Sequence, residues 1–354
     1  MAGELKHKSQ GAALTQAEYE NVDAHLFDSQ ATGDLPYASS ATQLSRLAKG
    51  TARYQLGMSA TIPAWYTPAF DGIVDVGGDG HWTTLQAGDD DLDAGNYSMW
   101  VKQGTYTAGL TVSTDKAYIF VEPGTVIQGA ITLSGDNITL VLGAGCDVQE
   151  LITLSGANCS LLCQNGVDID GILVSGNFGL VDGGGWETIS NGGTARIGIS
   201  ITGTDGIAKN IACQTTAGGG QSYDALRMTG DRDVASRVKV IDSDNNGIDV
   251  VTGGAMLIEG CMVLGADVLG IDINAPRTRC IGNYVIASGN DGIRCDDSGD
   301  NSLVVGNTVQ NQANQPIDVS TNCEDCVVVG NRTDGAVADN SGTSTVASNE
   351  ETAF

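Results

Sequence analysis

The sequence predicts an all-β chain: a single-stranded parallel β-helix of about ten coils, with a short helical and extended region at its N-terminus. Three observations predict it. First, Gly247-Ile248-Asp249-Val250 returns as Gly270-Ile271-Asp272-Ile273, Gly292-Ile293-Arg294-Cys295 and Pro316-Ile317-Asp318-Val319, the isoleucines stepping by 23, 22 and 24 residues. Second, Ile281-Gly282-Asn283, Val305-Gly306-Asn307 and Val329-Gly330-Asn331 keep pace with steps of 24 and 24. Repeats this short cannot bury a core alone, so they must stack. Third, each repeat holds short β-branched stretches parted by Gly, Asn, Asp and Ser, which reads as strands joined by turns. Coils of such a stack rise by about 4.8 Å. The Gly-Asn pair suits a bend where φ turns positive, and stacked asparagines there can hydrogen-bond from coil to coil.

Composition narrows the classes of partner. The 354 residues include 49 glycines and 6 prolines, as a fold with several turns per coil requires. Forty-three acidic residues against 17 basic give a net charge of −26, which argues against nucleic acid, since phosphate binding needs basic patches. No window approaches the roughly 18 apolar residues of a membrane span. Residues 1–10 lack the apolar stretch of a signal peptide, which argues against classical secretion. Nine cysteines fall mostly where strands are predicted, among them Cys213, Cys261, Cys280 and Cys295, and read as small buried core residues. Cys323 and Cys326 form a lone CxxC, a weak zinc signal without a second pair.

Taken in order, residues 1–14 read as unstructured. Thr15-Gln-Ala-Glu18 is a capping-box pattern, and Tyr19, Val22 and Leu26 follow at helical spacing, predicting a helix of about 13 residues packed on a neighbour. The run from Gly33 to Trp65 reads as short extended pieces without a core of their own. Its Gly33, Asp34, Tyr37, Ala38, Leu44, Leu47, Gly50, Thr51, Pro63 and Trp65 resemble a segment of tail-fibre and other virion proteins of tailed bacteriophages. That resemblance spans about 35 residues and implies a particle-attachment region over residues 1–66, completed by a homotrimer and by other virion proteins.

Residues 67–97 form a capping segment. Trp82-Thr-Thr-Leu85, Asp89 to Asp93, Ser98-Met-Trp-Val101 and Gly104-Thr-Tyr106 resemble the opening of pectate-lyase-like β-helices, including phage tailspikes. The resemblance implies a right-handed solenoid whose open end is plugged by a short helix, as an exposed core and strand edge require. The acidic run Asp89-Asp90-Asp91 departs from an ordinary cap helix. Regular coils are predicted over residues 98–334. Leu110, Ile131, Ile152 and Ile172 open strands 21, 21 and 20 residues apart, and the next match, Ile201, comes 29 later. Gly183 to Gly193 and Ala217 to Asp224 are read as extruded loops, where binding residues usually sit. Residues 335–354 read as a small, polar C-terminal tail that ends the solenoid or wraps on neighbouring subunits.

Chemistry has few candidates. The three histidines, His7, His25 and His81, all precede the regular coils, so the solenoid holds no Ser-His-Asp triad and no histidine metal site. The Gly-His-Gly and Arg-Ile-Lys elements of polygalacturonase-type hydrolases are missing. Asp296, Asp297 and Arg277 supply residue types used by calcium-dependent lyases without a known spacing. In the Gly-Ile-Asp column, isoleucine points inward and the next residue outward. Asp249, Asp272, Arg294 and Asp318 therefore form one outer file, with Asp291 on the turn before Arg294. These residues are the candidate acidic face for carbohydrate or cation binding. Calcium is the cation that would suit it, and no other cofactor is implied.

Two readings compete. One is a non-enzymatic virion component: a trimeric β-helical spike, fibre or capsid-decoration protein at the particle surface, in contact with the host. The other is a polysaccharide depolymerase of tailspike type, a lyase or glycoside hydrolase acting on host surface polysaccharide. The missing catalytic motif and 5% aromatic residues favour the first. On that reading the acidic file is a solvated charge ladder, exposed and ordinary, balanced in part by Arg294.

Overall fold

The computed structural model describes residues 5–7, 25–27, 34–40, 43–48, 55–59, 62–66, 70–92, 97–183, 188–190, 197–214, 223–347 and 349–351. Two compact units emerge, Met1–Asp71 and Gly72–Phe354.

The first unit is built of short antiparallel pairs. Leu5–His7 pairs with His25–Phe27, Leu35–Ser40 with Gln43–Leu47, and Gln55–Ser59 with Ile62–Tyr66. The extended pieces expected between Gly33 and Trp65 are thus two hairpins. The helix expected from Thr15 is corrected at its end, where His25–Phe27 is a strand; the rest of it lies outside the described residues. Leu5–His7 is likewise a strand rather than unstructured chain. An isolated short helix is marginal in water, and the ladder satisfies the same backbone groups.

The second unit is a stack of parallel strands in three columns. A 13-stranded column runs from Gly72–Val74 to Thr345–Ala347; the other two are joined into one 21-stranded network through the long strands Asp147–Leu154 and Asp168–Val174. Register is set by the inward residues. Leu110, Ile131, Ile152, Ile172, Ile199, Leu226, Ile248, Ile271, Ile293 and Ile317 are successive partners in one column. All are buried, Ile271 completely. The file predicted from the repeat is therefore the core, with one shift: Ile172 pairs with Ile199, and Ile201 lies opposite Val174. A two-residue slip leaves the same face inward, so both Ile199 and Ile201 are buried.

Turns obey the same stacking. Gly282, Gly306 and Gly330 have φ of 63°, 65° and 64°, as the Gly-Asn columns predict. At another corner the left-handed position is held by Asn137, Asn158, Phe178, Asp205, Arg232 and Ala255 in successive coils. Each of these donates its backbone N–H to a carbonyl of the next coil. That pairing offsets the roughly 1–2 kcal/mol which the conformation costs a side-chain-bearing residue.

Both ends depart from expectation. Gly72–Val74 already pairs in parallel with Ser98–Val101, so the stack starts before residue 98. Between them, helix α1 (Leu85–Leu92) buries Leu85, Gly88, Asp89 and Leu92 against the first strands. The aspartate run is accommodated because Asp90 and Asp91 face solvent, while buried Asp89 accepts a hydrogen bond from the Tyr97 hydroxyl. At the far end the described residues after 334 are no tail: Ala338–Asp339, Thr345–Ala347 and Glu350–Glu351 each continue a column. Their residues are small, but parallel pairing needs only backbone groups. The stretch from Gly183 to Gly193 is not wholly extruded either, since Thr188–Ser190 pairs with Ala212–Gln214. Nearly all of Ala217 to Asp224 lies outside the described residues. No helix among the described residues is long and apolar enough to cross a membrane.

Candidate functional site

The outer file of the Ile271 column is where charge converges. Asp249 lies opposite Asp272, Asp272 opposite Arg294, and Arg294 opposite Asp318, as the repeat predicts. One coil earlier the same position is Arg227. Four neighbouring coils thus read Arg-Asp-Asp-Arg. Arg227 was missed because its repeat, Leu226-Arg-Met, lacks the Gly-Ile-Asp signature; only its place in register identifies it.

The expectation of exposed, ordinary carboxylates is overturned. Asp249 and Asp272 are each only 6% exposed. Burial raises Asp249 to about 7, helped by the charge of Asp224 and a hydrogen bond shared with it, and by Asp272, while Arg227 pulls the other way. Burial likewise raises Asp272 to about 6 against the pull of Arg294, with Asp296, Asp224 and Asp291 adding to the rise. The outward position of a strand is exposed only when its neighbours are short. Here two arginines and the carboxylates of adjoining turns wall it in.

The partners are specific. Arg227 Nε donates to Asp249 Oδ2 at 3.1 Å, and its Nη2 pairs with Asp224. Asp224 is fully buried and accepts from Asn245 Nδ2 at 2.8 Å and from the Asn246 backbone at 3.1 Å. Asn274 Nδ2 donates to Asp272 Oδ2 at 3.1 Å. Asp272 Oδ1 lies 3.8 Å from Arg294 Nε, and among the described residues neither of these two atoms has a hydrogen-bond partner. Arg294 turns its Nη2 to Asp296 instead. Asp291 sits beside the file rather than in it, accepting from Asn314 Nδ2 at 2.8 Å and from the Gln315 backbone at 3.0 Å. Asp318, at the end of the file, is raised by burial and accepts from Asn340 Nδ2. Asp297, fully exposed, is held low by hydrogen bonds from Asn322 and Ser320.

Chemically, the face holds two neighbouring carboxyls whose proton affinity burial raises, Asp249 more than Asp272, on coils about 4.8 Å apart. Environments that split two carboxyls in this way suit acid–base work. For a metal the fit is poorer: among the described residues no group of three or more His, Cys, Asp or Glu converges to hold one. All nine cysteines are buried, and none is joined in a disulfide.

Stack, register and ends together define an all-β right-handed parallel β-helix of about 11 turns. A family model described as a right-handed β-helix region matches residues 224–353. No curated protein matches in sequence. Among solved structures, the chain is similar to the A-module of the mannuronan C-5 epimerase AlgE6 of Azotobacter vinelandii, at 14% identity and a TM-score of 0.39, covering 75% of this chain and 88% of that one. It is similar to ORF18 of Geobacillus virus E2, at 13% identity and a TM-score of 0.41, covering 74% of this chain and 53% of that one. A third is the catalytic domain of a GH87 α-1,3-glucanase in complex with tetrasaccharides, at 11% identity and a TM-score of 0.37, covering 86% and 69%. At such identities the likeness is one of fold alone.

Proposed function

We propose that this chain is a virion-surface β-helix of the tailspike kind, carried on a bacteriophage particle by residues 1–66 and cleaving a host surface polysaccharide at the Asp249–Asp272 face. Its place on the particle rests on the resemblance of the run from Gly33 to Trp65. The enzymatic part rests on one observation: two buried carboxyls on adjacent coils, raised to about 7 and about 6. A charge ladder has no need of this. Asp249 is the proton donor to the glycosidic oxygen, and Asp272 the carboxylate that meets the anomeric carbon. The spacing of about 4.8 Å between coils is near the roughly 5–5.5 Å carboxyl separation of retaining glycosidases. Water then resolves the glycosyl ester, with Asp249 as base. Arg294 holds Asp272 ionised, and Arg227 with Asp224 orients Asp249.

The test is release of reducing sugar from host surface polysaccharide by the purified chain and by Asp249→Asn and Asp272→Asn variants. A parent that cleaves, with either change lowering the rate at least a hundredfold, is the expected outcome. A second reading, the non-enzymatic spike, fibre or decoration protein, is favoured by the Arg227–Asp249 and Arg294–Asp272 pairings, which also suit a file serving only to stack. A parent inactive on every polysaccharide of its host would select it.

A further inference from the structure

The CxxC near the C-terminal end is left unused by the acidic face, and its geometry is unlike that of the other thiols. Cys323 and Cys326 are completely buried, with their Sγ atoms 2.7 Å apart. Both contact Cys295, which ends the strand Ile293–Cys295 on its inward side. Cys326 Sγ donates to the Gly299 carbonyl at 3.2 Å, a weak thiol hydrogen bond beside the backbone bonds of the turn, such as Cys323 N–H to the Ser320 carbonyl at 3.2 Å. Only the short last coil covers it: Ser344 Oγ accepts the Cys326 backbone N–H at 3.1 Å, and Thr343 Oγ1 accepts that of Asp325 at 3.3 Å.

We propose that Cys323 and Cys326 are a reversible dithiol–disulfide pair which, when oxidised, staples the penultimate turn of the solenoid, with Cys295 as an unbonded bystander. Two unbonded sulfurs do not rest comfortably at 2.7 Å, and the bond itself, about 2.05 Å long, is reached by a small side-chain adjustment. The oxidant is a small-molecule disulfide. One protein thiolate attacks it, forming a mixed disulfide and releasing one small thiolate. The second protein thiol loses its proton and attacks the protein sulfur of that mixed disulfide, releasing the second small thiol. The protein gives up two electrons and two protons, and the small disulfide becomes two thiols. Burial makes the step slow, gated by lifting of the last coil. The bond closes over Glu324 and Asp325, whose φ of 57° is a left-handed turn. It restrains that turn where only one short coil stacks above it.

The sequence makes the test direct, because cleavage after Arg294 and Arg332 leaves all three thiols on one tryptic peptide. The full chain is incubated natively with oxidised glutathione, quenched in acid, unfolded in the presence of N-ethylmaleimide, digested and weighed. Expected is a peptide carrying one adduct, on Cys295, and two hydrogens lighter than its reduced form. Prior reduction restores three adducts. The oxidised parent should melt a few degrees higher than the reduced one, and Cys326→Ser should abolish that rise. Cys295→Ser should still form the bond, and serves if Cys326→Ser fails to fold. Three adducts after prolonged oxidation, or a bond that includes Cys295, would overturn the proposal.

Discussion

At the scale of single residues, burial dominates the chemistry. For catalysis Asp249 must hold a proton that it loses above about 7, and Asp272 must be ionised, which it ceases to be below about 6. Polysaccharide cleavage should therefore peak between these values and fall tenfold per pH unit beyond each limb. Initial rates across pH 4–9 check it; a flat profile would remove the pair from catalysis. Asp233 is buried in the same sense but serves structure. It accepts the backbone N–H groups of Gly206 at 2.8 Å and Gly230 at 3.1 Å, tying two coils, and burial nevertheless raises it to about 7. Its unfolded value is near 3.8. Below that value both states hold the proton and the group is neutral to stability. Between 3.8 and about 7 the folded state holds more protons than the unfolded, so stability falls as pH rises. Above about 7 the full penalty applies, up to about 4 kcal/mol. Chemical unfolding at pH 5 and pH 8 should show the parent weaker at pH 8, and Asp233→Asn should lose that share of the difference.

Among the elements, the Gly-Asn corner is the best-supported device. Asn283, Asn307 and Asn331 are buried, and each donates through Nδ2 to the Oδ1 of the next, at 3.0 Å throughout. Asn349 ends the run, 18 residues after Asn331 where the earlier steps are 24. Each Oδ1 also accepts a backbone N–H from the coil before, as Asn307 does from Asn283 at 2.8 Å. Asn307→Leu keeps the branching at Cγ, at a larger volume, but strips two donors of Asn283 of their acceptor. A buried donor left unpaired costs about 1–3 kcal/mol, so the loss should reach several kcal/mol. Hydrogen exchange at the Asn283 amide should accelerate well before coils distant from it respond. The shortened step also explains why the last coil escaped the repeat pattern: the ladder continues, but its stride does not.

For the whole molecule, the question is what the first unit contributes. The hydrophobic core of the solenoid begins at Val74 and takes no described residue from the first 71. Deleting residues 1–66 should therefore leave the β-sheet circular dichroism and melting of the solenoid intact. The full chain should sediment as a homotrimer, since the short hairpins of the first unit gain most from symmetric closure, and the truncated chain should not enter particles. A full-length monomer in sedimentation would sink the trimer.

The stacking was legible in the sequence because a period of 22–24 residues leaves its mark on every coil: Ile248, Ile271, Ile293 and Ile317 must point inward at each pass or the core is lost. Inward and outward alternation then placed Asp249, Asp272, Arg294 and Asp318 in one file. Solvent access to that file was not legible. It depends on Asp224 and Arg227, brought alongside by a coil whose step is 27 residues rather than the regular 22–24, and on Asn274 and Asp296 from the adjoining turns. The C-terminal coil was hidden for a different reason, since Ala338 and Thr345 pair through backbone groups that leave no hydrophobic signature. Periodicity is a property of one chain position repeated, and so the sequence carries it. Burial and proton affinity are set by neighbours from several coils at once, and only the assembled tertiary structure decides them.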